Sequence, residues 1–98
     1  MATVGIVVTN AKAAGLPVPY GIPVSAEAIT SSSTSQQSVG AVTNTGQLIE
    51  ISVSGGDVWV QMGSSPVASI GHDYLILDGM TRFFGYVPVG TRVAVVDA

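Results

Sequence analysis

The chain has 98 residues, of which 47% are hydrophobic and only 9% are charged, and its formal net charge is −3. A chain of this length is expected to form one domain with a modest core. It contains no cysteine, which excludes a disulfide framework and a thiolate zinc site. Ordinary soluble domains carry roughly 25% charged residues. We therefore expect other protein subunits to cover part of the surface, although a monomer with a neutral, Ser/Thr-rich surface would have the same composition.

The few charged side chains limit the classes of partner. The three cations, Lys12, Arg82 and Arg92, are too few and too scattered to neutralise a series of phosphates. We therefore expect neither nucleic acid nor a charged membrane surface as a partner. We also expect no targeting signal and no membrane helix, because the first residues are not basic and no run approaches about 20 apolar residues.

The first 24 residues predict a strand followed by an extended segment. The alternation that places Val4 and Ile6 on one side is typical of a strand. Residues 11–24 contain three prolines, which exclude a helix and a central strand. From Leu16 to Val24, however, every second residue is apolar. One side of this arm is therefore expected to lie on a protein surface, which is that of its own chain or of a neighbour.

Turn signals divide the rest of the chain into short strands. Gln47–Ser54 and Val58–Met62 are predicted to pair as a hairpin across two glycines. A second hairpin is predicted at Asp78-Gly79. The polar run Ser31–Ser38 is typical of a mobile loop or of an edge strand.

The complete pattern contains about seven to nine short strands and no sustained helical period. It predicts an all-β fold, a single small β-sandwich or barrel that is jelly-roll-like or Ig-like, with an extended Pro-rich N-terminal arm. Residues 1–24 are expected to form the first strand and the arm, and residues 25–98 the sandwich core.

The residue types that perform catalysis or bind metals show no recognisable motif. His72 is the only histidine, and we expect it in a loop or at a strand edge rather than in an active site. Asp57 and Asp78 adjoin glycines, where a carboxylate commonly accepts hydrogen bonds from its own turn. A loop-built calcium site is the alternative for them, without an EF-hand signature. We therefore expect a protein that is not an enzyme, with no catalytic residue, metal or cofactor.

The aromatic residues of the second half are expected in the core or at a subunit interface, because each buries a large area. A sugar-stacking platform is the alternative. The residues concerned are Trp59, Tyr74, Phe83, Phe84 and Tyr86.

Three segments carry a resemblance to a known group of proteins. Gly56–Ala68 (GDVWVQMGSSPVA), Tyr74–Gly79 (YLILDG) and Phe83–Val96 (FFGYVPVGTRVAVV) resemble stretches of small tailed-phage virion proteins. With the segment Ala26–Thr30, the resemblance covers about residues 26–96. It implies a structural role as a capsid decoration (cement) protein, or as a related head, neck or tail-fibre component, and it brings no catalytic residues.

The resulting hypothesis is a decoration protein that binds the outer capsid surface and stabilises the shell. Its expected partners are the major capsid protein and further copies of itself, as a homotrimer or homodimer. Its expected location is the virion, after assembly in the cytoplasm of the bacterial host. The adhesive surface is placed at Val4, Ile6, Leu16, Val18, Tyr20, Ile22 and Val24. Self-association is expected to use Trp59 and Phe84 as anchors.

Three other functions remain open. A neck, tail or fibre component would be built from similar strands. A carbohydrate-binding module of a virion fibre would expose an aromatic cluster around Trp59. An enzyme would have a pocket that joins His72 to a carboxylate.

Overall fold

The computed structural model describes residues 1–14, 16–44, 46–85 and 87–98, with the side chains of residues 11–22 outside the description. The strands of this part of the chain are β1 (Thr3–Ala14), β2 (Leu16–Thr30), β3 (Gln36–Gln37), β4 (Gln47–Ser54), β5 (Val58–Gly63), β6 (Tyr74–Ile76), β7 (Thr81–Gly85) and β8 (Arg92–Asp97). They form two four-stranded antiparallel sheets, with the order β2-β1-β4-β7 in sheet A and β3-β8-β5-β6 in sheet B. The prediction of an all-β fold with a small β-sandwich is confirmed.

One apolar layer holds the two sheets together. Side chains of a strand point alternately to the two faces, so every second residue of a central strand enters this layer. Most of the layer consists of β-branched Val and Ile, which pack well on a pleated surface. Its principal members are Val4, Ile6, Val8, Ile49, Ile51, Val53, Val58, Val60, Ile76, Val93 and Val95.

The chain crosses between the sheets at both places where the sequence predicted a hairpin. β4 pairs with β1 and β7, whereas β5 pairs with β6 and β8. The connection at residues 55–57 is therefore an arch over the edge of the core. The connection from β6 to β7 is a second arch. Both hairpin predictions were wrong because alternation determines which side chains point inward, and it is identical for a strand that pairs sideways and one that folds onto the facing sheet.

Two aspartates bind the arches to each other. The carboxylate Oδ1 of Asp78 accepts a hydrogen bond from the N–H of Gly55 at 2.9 Å. The carboxylate Oδ1 of Asp57 accepts one from the N–H of Asp78 at 2.8 Å. Both aspartates lie in turns, as predicted, but the expectation that each carboxylate bonds its own turn was wrong, because each accepts its hydrogen bond from the other arch. Gly55 has a φ of 99°, in the region that favours glycine, which explains its place in the first arch.

The first 30 residues form one long hairpin at an edge of sheet A. β1 lies between β2 and β4 as far as Asn10. Beyond Asn10, β1 and β2 pair with each other, and no third strand of the described chain pairs with them. Of the predicted arm, residues 11–14 extend β1 and residues 16–19 pair with them, and β2 runs through the predicted boundary at residue 24. Residues 21–24 form a bulge opposite Thr9. Prolines are compatible with β2 because an edge strand needs backbone donors on one side only.

The Ser-rich segment after β2 serves as an edge of sheet B. The N–H of Asp97 donates to the C=O of Ser32 at 2.9 Å, and the N–H of Ser38 donates to the C=O of Val93 at 2.7 Å. The carboxylate of Glu27 in β2 accepts a hydrogen bond from the N–H of Gly40 at 2.8 Å. This segment therefore connects the two sheets on the side opposite to β6 and β7.

Val60→Ala is expected to lower the free energy of unfolding by about 2 kcal/mol, because it removes two carbons from a fully buried side chain and leaves a cavity. Val67→Ala is the matched control, since it removes the same atoms from a side chain that is 66% exposed. We expect it to change the free energy by no more than about 0.5 kcal/mol. Urea denaturation followed by tryptophan fluorescence measures both values. Equal effects would contradict the position of Val60 in the core.

Candidate interaction surface

The β6/β7 edge is the side of the sandwich where both sheets end in an exposed apolar strand. β6 is the outermost strand of sheet B and β7 that of sheet A, and the arch between them places them on the same side. We define this edge by its exposed apolar side chains, which are Tyr74, Leu75, Leu77, Met80 and Phe83. Phe83 is the most exposed of them, at 54%. Exposed apolar side chains gathered along one edge make it a candidate interaction surface.

Two aromatic rings close the core at this edge. The ring centroids of Tyr74 and Phe84 are 5.0 Å apart, with the planes inclined by 59°. Such a tilted arrangement is favourable for aromatic pairs. Phe84 also packs against the core layer and is half-buried. The predicted anchor Phe84 is therefore mainly occupied by contacts within the chain, and its neighbour Phe83 presents its ring to solvent.

The other predicted anchor, Trp59, lies on the outer face of sheet B. It packs against a small cluster formed by Ala68, Ala94 and Val96 and is half-buried. The segment after β5 folds back over this face, where the N–H of Ala68 donates to Ser35 Oγ at 2.8 Å. The chain itself therefore covers part of the tryptophan.

The remaining residues of the predicted adhesive surface have different positions. Val4 and Ile6 are 0% and 2% exposed in the core of this chain. The prediction that they lie on an adhesive surface was wrong, because the face of β1 that carries Val4 and Ile6 packs against sheet B. Val24 is exposed in the bulge of β2. The side chains of Leu16, Val18, Tyr20 and Ile22, and the whole of Tyr86, lie outside the described residues.

A polar cluster joins the beginning of β1 to the end of β8. Ser31 Oγ donates to Asp97 Oδ1 and accepts a hydrogen bond from the N–H of Ala2 at 2.8 Å. The amino group of Met1 lies 3.4 Å from Asp97 Oδ2. The hydrogen bond from Ser31 lowers the pKa of Asp97 below its ordinary value, and the nearby amino group acts in the same direction. The cluster therefore links strands of both sheets.

An open apolar pocket of about 420 Å³ lies at one end of the sandwich. Its lining consists of Met62, Gly63, Ser64, Val87, Pro88, Val89, Gly90 and Thr91. The lining contains neither His72 nor a carboxylate, and the hydroxyl of Thr91 donates to the C=O of Pro88 at 2.6 Å. The pocket therefore lacks the acid–base pair that the enzyme alternative requires.

The sequence analysis expected Tyr74 and Phe83 in the core or at a subunit interface but did not select them as anchors, and both are exposed at the β6/β7 edge. The available signal was the pair of aromatic-containing strands on either side of Asp78-Gly79, which the hairpin prediction placed in one sheet. Across the residues with described placement, no group of three His, Asp or Glu side chains has the arrangement needed to hold a metal ion. The same part of the chain contains no helix able to span a membrane.

Comparison with known proteins adds no further assignment. No family model, curated protein or solved structure matches the chain. The exposed edge, the hairpin and the scarcity of charge are therefore the structural basis for a proposed function.

Asp97→Asn is expected to reduce stability at pH 7, because it removes a carboxylate that is stabilised in the folded state. A lowered pKa contributes stability above the pKa of the unfolded chain, and this contribution is lost as the pH falls through the folded value. The difference in melting temperature between the wild type and Asp97→Asn should therefore disappear in strong acid. Thermal unfolding at pH 7 and in strong acid measures it, with the exposed Asp73→Asn as the control. A difference of the same size under both conditions would contradict this account.

Proposed function

We propose that this chain is a structural protein of a tailed-phage virion, which binds the outer capsid surface as a decoration (cement) protein and stabilises the shell. The observation that carries this proposal is that a chain with only 9% charged residues has two separate surfaces available to other protein, the hairpin of β1 and β2 beyond Asn10 and the exposed apolar β6/β7 edge. The resemblance of residues 26–96 to small phage virion proteins supports the same role.

Adhesion is the proposed mechanism. Each contact removes apolar surface from water, which stabilises the complex by about 25 cal/mol per Å². Many copies on one particle add up such weak contacts. The sandwich suits this role because its two sheets hold the exposed side chains in fixed positions, so little conformational entropy is lost on binding. Apolar side chains on the loops enlarge the available surface, and they include Val39, Val67, Ile70 and Val89.

The proposed partners are the major capsid protein and further copies of the chain. Three cationic side chains do not favour nucleic acid or an anionic membrane. The proposed location is the virion, assembled in the bacterial cytoplasm, and the proposed role requires no catalytic residue and no cofactor.

The alternative functions differ in their structural support. A carbohydrate-binding module was expected to stack sugars on Trp59, and the half-burial of this side chain beneath Ala68 disfavours that role. A neck, tail or fibre component is built from the same kind of strands. It differs from a decoration protein in the number of copies on each particle.

Co-sedimentation with empty capsids of the encoding phage tests the proposal. We expect the full chain to sediment with the capsids in a number of copies proportional to the major capsid protein, and to make them more resistant to heat. Failure to sediment, or binding in a few copies only, would contradict the decoration role.

A shortened hairpin tests the contribution of the arm. Beyond Asn10, the described parts of β1 and β2 pair only with each other. Replacing residues 11–19 by Asn-Gly therefore joins the paired residues Asn10 and Tyr20 by a two-residue turn and removes no strand from the sandwich. We expect this variant to keep the far-UV circular dichroism of a β-protein and to lose capsid binding. Binding equal to that of the full chain would show that the arm is not the adhesive surface.

A further inference from the structure

The four edge strands of the sandwich are not equally protected against pairing with another chain. An open strand edge presents unpaired N–H and C=O groups, and proteins block it with prolines, bulges or very short strands. β2 contains three prolines and a bulge, whereas β3 has 2 residues and β6 has 3. β7 has 5 residues with neither a proline nor an irregularity in its register. It is therefore the edge that is best able to accept another strand.

The register shows which backbone groups of β7 are free. The N–H of Val53 donates to the C=O of Met80 at 3.0 Å, so Val53 and every second residue before it in β4 direct their backbone groups toward β7. In β4 these residues include Ile51 and Ile49, whose partners in β7 are Arg82 and Phe84. The backbone N–H and C=O groups of Arg82 and Phe84 therefore point toward β4. The intervening residues direct N–H and C=O away from β4, and they are Thr81, Phe83 and Gly85.

We propose that β7 pairs in antiparallel orientation with β7 of a second copy, about a two-fold axis at Phe83. The outward-facing residues are symmetric about Phe83, so Thr81 of each copy lies opposite Gly85 of the other. Each opposed pair of this kind exchanges two backbone hydrogen bonds. The A sheets of the two copies then form one continuous sheet.

The side chains of β7 are compatible with this register. The two Phe83 rings lie next to each other on the outer face of the joined sheet, where each ring loses part of its 54% exposure. Arg82 is the only charged residue of β7, and it lies opposite Phe84 of the other copy. No like charges are opposed, and a guanidinium beside an aromatic ring is a favourable contact.

This pairing deepens the self-association included in the proposed function, because it identifies the surface through which two copies join. Its test uses the purified full chain without capsids. A failure of capsid binding and a failure of strand pairing are therefore separate results.

Thr81→Pro and Thr81→Ala form a matched pair for the test. Both remove the hydroxyl that contacts Ser52 Oγ at 3.0 Å, but only proline removes the outward N–H of residue 81 while leaving the bonds between β4 and β7 intact. We expect the wild type and Thr81→Ala to be dimers in sedimentation equilibrium, and Thr81→Pro to have a dissociation constant at least about tenfold higher. A monomeric wild type, or a folded Thr81→Pro that dimerises as Thr81→Ala does, would overturn the pairing.

A cysteine crosslink tests the register and decides the matter if Thr81→Pro does not fold. The chain has no cysteine, and the opposed Cα atoms of a hydrogen-bonded antiparallel pair are about 5.5 Å apart, within the range of a disulfide. Phe83→Cys is therefore expected to give a covalent dimer under mild oxidation. Ser52→Cys, on β4 away from the free edge, is expected to remain monomeric under denaturing conditions. Crosslinking of Ser52→Cys as rapid as that of Phe83→Cys, or no crosslinking of Phe83→Cys, would overturn the register.

Discussion

The apolar layer between the two sheets is the interaction on which the rest of the structure depends. A chain of 98 residues without cysteine has no covalent crosslink to hold its loops, so burial of Val and Ile side chains from both sheets supplies the main favourable term. The layer needs side chains from both sheets. The first arch leads from β4 in sheet A to β5 in sheet B, and the second leads from β6 in sheet B back to β7 in sheet A. The contacts of Asp57 and Asp78 then fix the arches to each other.

The same layer explains which parts of the fold could be predicted from the sequence. Alternation in Gln47–Ser54 identifies a strand and the side chains that point inward, and glycines mark where the chain turns. Alternation does not identify the partner strand, so the sequence predicts a hairpin at both arches. It also placed Val4 and Ile6 on one side of β1 without showing that this side faces sheet B. The bond between Ser31 and Asp97 spans 66 positions, which no local pattern predicts.

The two edges of sheet A are the surfaces that the proposed function assigns to other protein chains. The two edges differ, because β2 contains three prolines and continues into the hairpin, whereas β7 is mostly exposed, contains no proline and has a regular register. The hairpin and the β7 edge lie on opposite sides of the sheet. Pairing of two copies through β7 therefore leaves both hairpins available for a third partner. This division is compatible with the proposed role, in which the chain contacts both the capsid and its own copies.

The arrangement of β4 and β5 in different sheets is tested most directly by backbone nuclear Overhauser effects in the isotopically labelled full chain. We expect effects between Ile51 and Arg82 within sheet A and between Val60 and Val95 within sheet B. Contacts between Ile51 and Val60 should involve their side chains only, across the core. Strong backbone effects that connect Val53 with Val58 and Ile51 with Val60 would show a hairpin, and they would contradict the two-sheet core on which the proposed surfaces depend.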